Sequence, residues 1–274
     1  MTSFDEYSHR YDFARFERRD GVVHMALHTD GGSFVFNEAA HHGLGAAFAD
    51  LADHADNRVV ILSGTGERFC ADFDYGSFAR LISADPPTAW ARIRADGRRM
   101  LQTFLDIEVP VISVVNGPAV THSELPLLGD VVLASENAVF QDATHFLESL
   151  PPSDGMHVVW TTLLGLNRGR YFLLTGQTID AHEALTLGVV GEVLPPARLL
   201  ERAWQLAASW TRHTPLTLRG TRTTLTTEWR RLLNEQLHSG LTYEALAALD
   251  IGAIPVPDPP VIDLLGFDST GRSR

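Results

Sequence analysis

Four short segments rich in β-branched residues, 22–27, 58–63 (RVVILS), 110–116 (PVISVVN) and 130–134 (DVVLA), recur along the first half of the chain. Apolar runs of this length, bounded by glycine or polar residues, read as buried strands. Residues 37–53 and 90–106 carry alanine, leucine and phenylalanine at helical spacing, the second stretch beginning after the Pro86-Pro87 break. From residue 156 onward the pattern turns mainly helical, over 156–166, 181–187, 199–211 and 219–249. Strands alternating with helices, then helices alone, predict an α/β core with a helical C-terminal region. We place the core at residues 1–195, the helical region at 196–252, and an extended tail at 253–274, where PVPDPP precedes a polar end.

At 274 residues the chain has ample capacity to bury a core. Its net charge of −12 argues against nucleic acid or an anionic membrane as partner. No apolar run approaches the roughly 20 residues that span a bilayer. The opening residues lack the basic-then-apolar order of a secretory signal, so a soluble, cytoplasmic protein is expected. A single cysteine, Cys70, excludes an internal disulfide and a thiolate metal cluster. All 22 basic residues are arginine. Without lysine, Schiff-base chemistry and a P-loop are both excluded, even if arginine-favouring codons are the whole cause.

Twelve histidines must be weighed. His9, His54, His182, His213 and His238 sit in polar or helical surroundings and read as surface residues, whereas His24 and His28 read as structural. His41, His42, His122 and His145 lie near glycine, proline or strand ends, where functional groups collect. No HxxxH pair occurs on a predicted helix, and the adjacent His41 and His42 point about 100° apart on a helix, so no metal site is expected. A G-x-S-x-G elbow is missing too, which disfavours a serine nucleophile. Water activation by a histidine–carboxylate pair remains. His145 stands in FQDATHF and Asp154 in LPPSDG, with Pro151 and Pro152 between them to turn the chain back. A carboxylate on one ring nitrogen would fix the tautomer and raise the basicity of the other. Spacing alone equally fits a loop histidine and an aspartate that caps the helix at 156.

Three segments then carry a resemblance. RFCADFDYGSF (68–78), IEVPVISVVNGPAVTHSELPLLGDVVLASENAVF (107–140) and NRGRYFLLTGQTIDAHEALTLGVVGEVL (167–194) resemble the crotonase superfamily of enoyl-CoA hydratases and isomerases, over most of residues 12–250. The resemblance implies an α/β spiral of ββα turns, with a helical trimerisation region and hence a homotrimer or a dimer of trimers. Two departures stand out. Asp72 replaces a glycine whose backbone N–H would approach a thioester oxygen, and Thr121-His122-Ser123 replaces the usual glycine run. This pattern is similar to the cofactor-free branch that hydrolyses cyclic β-diketones, the 6-oxocamphor hydrolases. That likeness implies a small-molecule diketone substrate, no cofactor, and retro-Claisen C–C cleavage. It implies His145, Asp154, His122 and Glu244 as catalytic, with Asp154 orienting His145, Glu244 holding the water and His122 donating to a substrate oxygen. His41, ahead of His42, and Phe36 and Phe78 would bind substrate, Phe36 standing where that branch carries a tryptophan. The alternatives are a coenzyme A-dependent hydratase or isomerase using Glu148 or Glu124, and a noncatalytic scaffold.

Overall fold

A computed structural model describes residues 3–250 and 262–263 of the chain. In chain order the strands are β1 (Ala14–Arg19), β2 (Val22–Leu27), β3 (Val35–Phe36), β4 (Val59–Gly64), β5 (Asp72–Phe73), β6 (Val111–Val115), β7 (Val131–Ser135), β8 (Val139–Phe140), β9 (Ile179–Asp180), β10 (Glu192–Leu194) and β11 (Ile262–Asp263). The main sheet runs β1-β2-β4-β6-β7-β10, parallel except for the β1–β2 pair. Successive turns also align a second stack: Cys70 bridges Ala119, and Ala119 bridges Phe140, both parallel. A spiral of ββα turns results, as the resemblance implied.

The helices are α1 (Phe4–Tyr7), α2 (Glu38–Asp53), α3 (Tyr75–Ala84), α4 (Pro86–Asp106), α5 (Glu124–Leu127), α6 (Met156–Leu164), α7 (Leu166–Thr175), α8 (Ala181–Thr186), α9 (Pro196–Trp210), α10 (Pro215–Leu225) and α11 (Thr227–Asp250). Alternate residues of a strand face opposite sides. Val59 and Ile61 of β4 therefore pack with Leu199, Ala203 and Ala207 of α9, while Val60 and Leu62 join the larger core that includes α2 and α4. Both faces are covered, which is why these strands read as continuous apolar runs.

Boundaries moved for local reasons. The double proline opens α4 rather than preceding it, because proline lacks an N–H that the first helical turn does not use; Asp85 caps the end. The stretch predicted as one helix over 219–249 is two, with Thr226 closing α10. The stretch at 156–166 likewise ends at Leu164, where Gly165 takes a positive φ of 76°. Strand β1 (ARFERR) is charged and half-exposed, so no apolar run announced it. Most of the tail predicted at 253–274 lies outside the described residues; Ile262–Asp263 pairs antiparallel with β5.

Candidate active site

Segments far apart in sequence converge on one cavity. His41 comes from α2, His122 from the turn before α5, His145 from beyond β8, Asp154 from before α6 and Glu244 from α11. Phe36, Phe73 and Phe78 stack as an aromatic wall, with centroid separations of 5.7 Å and 5.1 Å about Phe73. The structure thus gathers all seven residues expected at the site. His42, one position along α2, is more than half exposed and pairs with Asp96 at 2.9 Å.

The orienting carboxylate is a correction. Asp142 Oδ1 lies 2.7 Å from His145 Nδ1, both groups buried. Asp154, expected there, stands on the opposite edge, its Oδ2 4.0 Å from Nε2. Ser153 Oγ is 3.3 Å from Nε2 and donates a short hydrogen bond to the Glu244 carboxylate. Nor does Asp154 cap α6: Gly155 occupies the cap without a side-chain bond, and Asp154 Oδ1 is buried with no hydrogen-bond partner among the described residues. Asp154 also adopts a φ of 48°, a backbone state that costs a non-glycine residue about 1–3 kcal/mol. Asp142 and Ser153 both lay inside the motifs already singled out. The available signal for Asp142 was its position three residues before His145.

Charge is concentrated here. Burial by itself lowers the pKa of His145, but Asp142, then Glu244 and Asp154, override it and push the ring up to about 10. Burial and the neighbouring Asp154 raise Glu244 to about 7. His41 is pushed down to about 4 by burial, so it is neutral at ordinary pH. The donors of His145, Asp154 and Glu244 lie within 4.8 Å of one another. Metal ligands at ~2.0–2.2 Å would sit about 3.3–3.6 Å apart, so a cation would need the trio to close in and the ring to lose its proton. The sequence assigned no metal, and the spacing along the chain gave no hint of this cluster.

His122 forms a second pair. Its Nδ1 is 2.8 Å from Glu124 Oε1, its ring stacks on Phe36 at 3.8 Å, and its φ is 47°. Burial works against a cationic ring, but Glu124 outweighs it and raises the His122 pKa. The segments that carry glycines in the resembled pattern are committed elsewhere. The Thr121 N–H bonds the Cys70 carbonyl at 3.3 Å. Asp72 is laddered between β3 and β11, its carboxylate 2.8 Å from Arg68. Glu148 is exposed on the short turn Phe146–Glu148 and does not line the cavity.

A sequence model of the enoyl-CoA hydratase/isomerase family matches residues 17–245. The chain belongs to this family. Family relatives differ in what they do. Human chromodomain Y-like protein is 31% identical over 70% of this chain, which spans only 32% of that protein. The 2,3-dehydroadipyl-CoA hydratase of Escherichia coli strain K12 is 28% identical, over 83% of this chain and 85% of that one. Among solved structures, a β-diketone hydrolase of the cyanobacterium Anabaena sp. PCC 7120, bound to (S)-3-oxocyclohexyl acetic acid, is 43% identical with a TM-score of 0.87. That match covers 90% of this chain and 98% of the other. No described helix of this family member is long and apolar enough to cross a membrane.

Proposed function

We propose that this crotonase-family protein is a β-diketone hydrolase that opens a cyclic 1,3-diketone to a keto acid by retro-Claisen hydrolysis. The observation that carries the reading is the buried His145–Asp154–Glu244 cluster, facing an aromatic cavity across from His122. Likeness to the Anabaena enzyme supports it.

Water held beside His145 Nε2 adds its oxygen to one ketone carbon, and its proton passes into the cluster. Asp142 holds the ring by Nδ1; Asp154 and Glu244 face the water side. The new oxyanion is met by His122, a donor acting where charge develops. Collapse of the adduct breaks the bond to the α-carbon, whose electron pair becomes an enolate on the second carbonyl. A proton from the cluster returns to that carbon, and the keto acid leaves. Neutral His41 binds the enolate oxygen instead of supplying the proton. The second ketone makes carbon a viable leaving group.

A coenzyme A thioester reading fits less well. Glu148 is outside the cavity, Glu124 is engaged with His122, and the Thr121 N–H is bonded to Cys70. Incubation with monocyclic and bicyclic 1,3-diketones, following diketone absorbance and keto acid formation, tests the proposal. Steady loss of absorbance is expected. Turnover of an enoyl-CoA thioester with every diketone untouched would overturn it, and inertness toward both would leave a scaffold.

A further inference from the structure

His122 is clamped from two sides, by the face of Phe36 at 3.8 Å and by Glu124 Oε1 at 2.8 Å from Nδ1. Among the described residues no protein group bonds Nε2, the edge left for substrate. This bond restricts what the ring can do. An ionised carboxylate only accepts, so Nδ1 must then carry the hydrogen. A neutral ring with its hydrogen on Nδ1 has a bare Nε2 and cannot donate. Nε2 donates only if the pair holds one more proton. That proton sits either on the ring, as an imidazolium, or on Glu124, which then donates to Nδ1.

The surroundings favour keeping it. Glu124 is fully buried, and among the described residues its Oε2 has no hydrogen-bond partner. Ionising the pair without the extra proton would bury an uncompensated negative charge. The groups facing the pair are Asp154 before α6, His145 beyond β8, His41 of α2, Glu244 of α11 and the Cys70 thiol. Of these Asp154 and Glu244 are acidic and near enough to reinforce retention.

We propose that Glu124 is a positioning residue whose shared proton with His122 makes Nε2 a hydrogen-bond donor at neutral pH. The proposal rests on the donor role given to His122 above. Burial raises the Glu124 pKa, and Glu124 in turn raises that of His122 against the effect of burial, so both shifts act in the required direction.

Nitrogen NMR of the full chain with labelled histidine tests it, His122 being assigned by the signal lost in H122N. In the unsubstituted protein Nε2 should carry hydrogen at neutral pH and lose it at alkaline pH, with kcat/KM on a 1,3-diketone declining in step. In Glu124→Gln the amide can donate to Nδ1, so Nε2 should keep its hydrogen across the range and the alkaline decline should vanish. In Glu124→Leu, which leaves the ring unanchored, kcat/KM should fall about tenfold with the fold retained by circular dichroism. A bare Nε2 at neutral pH in the unsubstituted protein, or the same Nε2 titration in Glu124→Gln, would overturn the proposal. If no diketone is turned over, the proposed function fails, whereas the NMR arm still decides the state of the pair.

Discussion

Two histidines in this cavity are held in the same way and surrounded differently. Each places Nδ1 on a buried carboxylate, His145 on Asp142 at 2.7 Å and His122 on Glu124 at 2.8 Å. Beyond Nε2 they diverge. His145 faces Ser153, Asp154 and Glu244, whereas His122 lies flat against Phe36. In the proposed mechanism the three carboxylates around His145 form the reservoir that takes a proton from water. In the same proposal the single carboxylate at His122, a ring packed on an aromatic face, makes that ring a donor. The second environment, more than the histidine itself, assigns the role.

Removing the ring at the centre of the water-side cluster should have the largest effect. His145→Ala is expected to lower kcat by about 10²–10⁴-fold, read as turnover of a 1,3-diketone. Near-normal turnover would dissolve the distinction between the two rings. Asp142→Asn should cost about 10–100-fold in kcat with substrate affinity little changed, because the amide can donate to Nδ1 and stabilise the wrong tautomer. Asp154→Asn should leave the His145 tautomer intact, a difference visible by nitrogen NMR.

The pH profile sharpens the comparison further. A raised carboxylate is neutral below its pKa, so activity should fall in acid as Glu244 protonates near 7. Until the His122–Glu124 pair loses its proton, kcat/KM levels off above about 7 if Glu244 is the acceptor and keeps climbing toward about 10 if His145 itself must be unprotonated, and Glu244→Gln separates the two. The smallest effect concerns stability. Both groups have folded-state pKa values above their unfolded ones, so each contributes stability that is full below its unfolded pKa and fades as pH rises through 7 and 10 respectively. The Tm should therefore decline between pH 6 and 10, and less so in His145→Ala.

Much of the fold was legible because it depends on local pattern. The RVVILS and DVVLA runs read as strands since both faces of the main sheet are covered, and α2 was readable from Asn37, whose side chain caps it. Misplaced boundaries all fell where a single residue decides the matter, as at Pro86, Gly165 and Thr226. The site was half legible. His122, His145 and Asp154 stood out as polar residues near strand or helix ends, whereas Glu244 came only from the resemblance; the pairings did not stand out, because a histidine three residues from one aspartate and nine from another gives no ground for choosing between them.

By itself the sequence determined which chemistry was available: no lysine, a single cysteine, and a histidine and a carboxylate where glycines stand in the resembled pattern. It also determined the alternation that makes the sheet. Only the tertiary structure decided that Asp142 holds His145 while Asp154 and Glu244 face its other edge, and that Glu124 lies beneath His122. The physical reason is range. Helices and strands follow from neighbours a few residues apart, whereas a proton's location depends on which charges the folded chain buries together, and Glu244 reaches this cavity from a helix 90 residues beyond Asp154.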